Sequence, residues 1–184
     1  MRWEALFADL EAQLAAAGQA GLESEIADRQ RGEVAGLELT ARLRAQRGRT
    51  LRVHLGIPGG PLQGVLKQLG DGWFLLESAS GAHVVPVHAV QMIEGMDRYA
   101  DSSVPAVQLK LAAALRGLAR DRYPIDLHLR GAQPAQHGSI DRVGQDFLEL
   151  AVVEPGEPRR RGNVAAVAVV PLAWIAAVSS TRRS

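Results

Sequence analysis

The sequence predicts a mainly β chain with helices, an α+β molecule. We expect an N-terminal helical arm followed by two small five-stranded barrels, each preceded by a helix. Three observations predict it: a segment that returns 74 positions later, short apolar runs between glycine-rich turns, and an amphipathic stripe over the first residues. They divide the 184 residues into an arm at 1–36, a first helix and barrel at 37–97, and a second helix and barrel at 98–184. Repeats are sought before local structure because overlooking one miscasts the whole fold.

Aligning residues 51–76 with 125–150 without a gap matches His54 with His128, Leu55 with Leu129, Gly64 with Gly138, Gly70 with Gly144 and Leu76 with Leu150. Apolar character is kept at further pairs, among them Val53 with Leu127 and Leu66 with Ile140. The match extends upstream, where residues 37–44 align with 109–116. It also extends downstream, where 84–87 align with 169–172 after an insertion of eleven residues in the second copy.

Each element follows from its local chemistry. In the arm, Trp3, Phe7, Leu10 and Leu14 recur at spacings of four, three and four, which places them on one helical face. The second copy's helix has Ser102 and Ser103 as candidate caps, Pro105 in its first turn, and Val107, Leu111, Leu115 and Leu118 at helical spacing up to 120–123. Residues 51–55 and 125–129 alternate apolar with polar, the period of a half-buried strand, and this turns His54 and His128 outward. Gly64 inside the second strand signals a bend or a close backbone approach. Gly70-Asp71-Gly72 and Ser78-Ala79-Ser80-Gly81 are turns, and strands follow at 73–76, 84–87 and 90–93. The uncharged stretch 164–178 contains Pro171 and is too short to span a bilayer, so it reads as buried strand.

Composition narrows the function classes. With no cysteine, the chain can hold neither disulfides nor thiolate metal sites, and it has no cysteine nucleophile. The absence of a signal-like segment, together with the missing cysteine, points to the cytoplasm and away from the membrane. Net charge is +1, but residues 1–38 carry −5 and the remainder +6, so arm and body have opposite signs. No metal site is expected among the five histidines. His83 and His88 are an odd number of residues apart and would face opposite sides of one strand. The glycines at 56–60 lack the lysine and hydroxyl ending of a phosphate loop. With no triad signature either, the chain reads as non-catalytic, without cofactor.

The stretch Gly64-Val65-Leu66-Lys67-Gln68-Leu69 resembles the first motif of Sm-like proteins, and Gly138-Ser139-Ile140-Asp141-Arg142-Val143 does so equally. His88-Ala89-Val90 is similar to the second motif of Hfq, the bacterial member of that group. The chain also resembles uncharacterised actinobacterial proteins, and its barrels could equally be of the general SH3-like type. It departs from the Sm pattern where Gly70 and Gly144 replace an aspartate and where Phe74 and Leu148 replace the base-contacting asparagine. The resemblance implies barrels that pair edge strands into homo-oligomers, with RNA as the ligand.

The residues expected to meet RNA are the arginine cluster Arg42, Arg44, Arg47, Arg49 and Arg52, together with His88 and the run Arg159, Arg160 and Arg161. Guanidinium forks suit phosphates, and Trp73, Phe74 and Tyr123 are the aromatics nearest in sequence that could stack on bases. The same pattern expects at least two of these aromatics to be buried. Partner contacts are expected at Trp3, Phe7, Leu10 and Leu14 of the arm or at open barrel edges. Two readings follow: an RNA-binding module that self-assembles, or a protein-interaction adaptor that binds no nucleic acid.

Overall fold

The computed structural model describes residues 34–103, 108–131, 133–157, 160 and 162–181. The arm expected at 1–36, with Trp3, Phe7, Leu10 and Leu14, lies outside them except for 34–36. Two helices lie wholly within the described residues, α1 (Leu39–Ala45) and α2 (Leu111–Asp121). Strands β1 (Thr50–His54), β2 (Leu62–Leu69), β3 (Trp73–Ser78), β4 (Gly81–Pro86) and β5 (Met92–Glu94) follow α1. After α2 come β6 (Pro124–Leu129), β7 (Gln136–Val143), β8 (Phe147–Val152), β9 (Ala166–Pro171) and β10 (Ile175–Thr181).

These strands correct the expected architecture. They do not build two separate five-stranded barrels; they form one antiparallel sheet of ten, in the order β5-β1-β2-β3-β4-β10-β6-β7-β8-β9. The seam is the pairing of β4 with β10, in which Val84 lies opposite Val178 and His83 opposite Ser179. Packing explains why the halves are not separate. The first core, around Leu51, Val53, Leu66, Phe74 and Leu76, also takes in Ala176 and Ala177 from β10. The second, around Ile125, Leu127, Ile140, Leu148 and Leu150, takes in Trp73 from β3 and Val84 from β4. Because side chains alternate across a strand, each seam strand sends residues to both cores.

Inside each half the register repeats. Leu51 pairs with Gly64 and Ile125 with Gly138; Leu66 pairs with Leu76 and Ile140 with Leu150. An irregularity follows at the same place, between Leu66 and Gln68 in one half and between Ile140 and Arg142 in the other. Val53 and Leu127 are both fully buried, as are Leu66 and Ile140 to within 1%. The glycines at the second strand are explained by crowding. A Cβ on Gly64 would lie 2.8 Å from the Glu77 carbonyl oxygen, and one on Gly138 would run into that of Ala151.

Other details differ from the expectations. Helix α2 starts at Leu111 after Lys110, not at the serines, and ends with Arg122 in the left-handed region at φ 50°, its N–H donated to the Ala119 carbonyl. His88 lies in a 3-10 turn (Val87–Ala89) and not on the strand with His83. The stretch 164–178 splits: β10 is buried, but β9 exposes Val167 and Val169 because it is terminal in the sheet among the described residues. No helix among the described residues is long and apolar enough to cross a membrane.

Candidate functional site

Three of the five clustered arginines are engaged within the chain, Arg42 and Arg44 partly buried and Arg49 at the surface. Arg42 donates to the Asp97 carbonyl at 3.0 Å, Arg44 donates to the Asp101 carbonyl at 2.7 Å, and Arg49 pairs with the Asp97 carboxylate. Gln46, fully buried, joins them: its amide oxygen accepts from Asp97 N–H at 3.0 Å and its NH2 reaches the Asp97 and Tyr99 carbonyls. The cluster therefore clamps the segment after β5 onto α1. Arg47 and Arg52 remain exposed, and Arg52 sits opposite Glu94 in the β1–β5 register. His88 and Arg160 are exposed as well, while Arg159 and Arg161 lie outside the described residues. Of the aromatics, Trp73 and Phe74 are buried at 3% and 0%, and Tyr123 is exposed.

Two surfaces go beyond the residues that the sequence singles out. The first is the pair of sheet edges, expected from sequence only as open barrel edges, without the strands that form them. Strand β9 occupies in its half the place β4 occupies in the other: Trp73 pairs with Pro86 and Phe147 with Pro171. Likewise β5 and β10 correspond, since Val53 pairs with Ile93 and Leu127 with Val178. Yet β4 and β10 are joined, whereas β9 and β5 are terminal in the sheet among the described residues. Burial follows the pairing. Val84 on β4 is 8% exposed; its counterpart Val169 on β9 is 64% exposed, and Trp174 beyond it is exposed too.

The second surface is a cleft of about 240 Å³ where the loop after β1 faces the seam. Ile57, Pro58 and Leu62 form one wall; His83, Asp126, His128, Ser179 and Ser180 form the other. The register builds the polar wall, with Ser179 on β10 between His83 on β4 and Asp126 on β6. His83 Nδ1 and the Ser179 hydroxyl are 2.8 Å apart although 96 positions separate them, and His137 Nδ1 donates to the Asp126 carboxylate at 2.7 Å. Burial lowers the pKa of both His83 and His128 below 6.5, because an imidazolium is poorly solvated there. The neighbouring His128 lowers His83 further, while Asp126 partly offsets the effect at His128. No serine–histidine–carboxylate relay is formed: His83 lies between Ser179 and, at 3.5 Å, Ser78, while the carboxylate holds a different histidine. Among the described residues no group of three or more histidine or carboxylate side chains is arranged to hold a metal ion. The polar groups that the cleft offers are imidazoles whose charged form burial disfavours, hydroxyls and one carboxylate.

Comparison with protein-family models, with curated proteins and with solved structures finds no match to this chain.

Proposed function

We propose that this chain is a non-catalytic assembly module that joins to further copies of itself, the β9 edge of one molecule receiving the β5 edge of the next. One observation carries the reading: Val84 and Val169 hold corresponding register positions, and only the one whose strand has a second neighbour among the described residues is covered. An unpaired strand presents a row of free N–H and C=O groups and is a template for another chain. Joining β9 to β5 as β4 is joined to β10 sets Val169 opposite Ile93 and Ala168 opposite Glu94. Such a contact is head-to-tail, so it propagates to a ring or a filament and does not stop at a two-fold dimer. The resemblance to Sm-like proteins supports the same reading, since they assemble through strand edges. The RNA reading loses support because Arg42 and Arg44 donate to backbone carbonyls within the fold and Arg49 is paired with Asp97 at the surface.

The natural chain has no cysteine, so an introduced pair reports on this register without background. Directly opposed strand residues have Cα atoms about 4.5–5.5 Å apart, within disulfide range. Mixing Val169→Cys with Ile93→Cys protein under mild oxidation is expected to give a covalent dimer, and Ala168→Cys with Ile93→Cys to give far less. Light scattering of the unmodified protein should show multiples of the 19.7 kDa chain. A strictly monomeric protein sinks the proposal, and retention of short RNAs with a steep salt dependence would favour the nucleic-acid reading instead.

A further inference from the structure

We propose that the seam cleft binds the head of a small organic cation, an alkylammonium or guanidinium group, with its aliphatic stem laid against Ile57, Pro58 and Leu62. Charge supplies the first reason. The ionisable groups lining the cleft are Asp126 and His128 from β6 and His83 from β4; β10 contributes hydroxyls, and the loop wall has no ionisable group. From β7, His137 faces Asp126 and engages its Oδ1. With the two lining imidazoles held neutral by burial, the lining carries a single negative charge near neutral pH. A cation is favoured there, and a phosphate would meet a carboxylate with no cation lining the cleft to offset it.

Hydrogen-bonding capacity supplies the second reason. An ammonium has three donors and no acceptor, and so needs acceptors converging on one point. Asp126 and the hydroxyls of Ser80 and Ser180 line the cleft beside His128, whose ring has no hydrogen-bond partner among the described residues. A neutral imidazole keeps one nitrogen as an acceptor. Size supplies the third: at about 240 Å³ the cleft is below the roughly 300–1,000 Å³ of pockets that enclose drug-sized ligands, and it suits one side chain or a short amine. The apolar wall takes the methylene stem as protein surfaces do for lysine.

The ammonium can belong to a free diamine or to a lysine side chain, and two probes separate these sources. The full chain is titrated with cadaverine and, separately, with Nα-acetyl-lysine-methylamide, while NMR follows the imidazole signals of His83 and His128. Saturable shifts with either probe are expected, and the tighter probe identifies the source. Affinity should fall at least tenfold, about 1.4 kcal/mol, in Asp126→Asn. It should also fall as pH is lowered below 6.5 and the imidazoles gain charge. Ser80→Lys, at an exposed turn, sets a fixed ammonium at the mouth; it should block binding with the fold intact even if Asp126→Asn unfolds. Equal binding of the Nε-acetylated lysine probe, an unchanged affinity in Ser80→Lys, or no imidazole shift with either amine overturns the proposal. Each of these outcomes leaves the edge-pairing test untouched.

Discussion

Gln46 shows how one side chain can matter more than the charges around it. It is fully buried, and its carboxamide is hydrogen-bonded to the chain after β5. Truncation to alanine strands those backbone groups, so Gln46→Ala is expected to cost about 1–3 kcal/mol. The exposed Arg49–Asp97 pair is a surface ion pair, and Arg49→Ala should cost no more than about 1 kcal/mol. Urea unfolding of the two variants checks the order. His83 and His128 make a second expectation at this scale. Their folded-state pKa values are lowered, so below pH 6.5 the unfolded chain takes up protons that the folded chain refuses. Stability therefore falls as pH drops from 6.5 through the lowered values and levels off beneath them as far as these two groups are concerned. Replacing both histidines with glutamine should flatten the urea midpoint between about pH 7 and pH 5; an unchanged slope would show that other groups set it.

Among the elements, β4 and β9 pose one problem and meet different outcomes. Both end in proline before a 3-10 turn, Val87–Ala89 after β4 and Leu172–Trp174 after β9, and both pair with the strand before them. What separates them is the next neighbour. Val84→Ala removes a side chain from the second core and should cost about 1–2 kcal/mol at any protein concentration. Val169→Ala changes an exposed side chain, so dilute protein should shift by less than about 0.5 kcal/mol. At concentrations where copies join, the same variant should lose the concentration-dependent part of its thermal stability. Melting curves at two concentrations make the comparison. The strands themselves were legible because alternation, turn glycines and the 74-residue spacing are local features of the chain. Their joining was not. Val84 and Val169 lie in similar apolar runs, and nothing nearby in sequence tells which of them will be covered. The cleft was hidden for the same reason: His83 and Ser179 meet only through the β4–β10 register. The first arginine cluster was visible as charge, but its use was not, since the backbone carbonyls it binds are more than 50 positions away.

For the whole molecule, the exchange of residues across the seam decides whether either half can stand alone. A fragment of residues 37–97 keeps Leu51, Val53, Leu66 and Leu76 but loses Ala176 and Ala177 from its core, and it uncovers Trp73 and Val84, which belong to the other core. Small domains bury a modest share of their surface and have little stability in reserve, so removing one wall while exposing a tryptophan and a valine leaves too little apolar burial to offset chain entropy. Three outcomes follow. The 37–97 fragment alone should give poorly dispersed NMR spectra and no cooperative melt. Adding a 98–184 fragment should restore both, because β10 can then pair with β4 from outside. The intact chain should unfold its two cores in one transition, with tryptophan fluorescence and far-ultraviolet circular dichroism changing together. A fragment that folds cooperatively alone would show that each core is sufficient without the residues it borrows. The seam would then be a docking contact between finished halves, not part of what makes them fold.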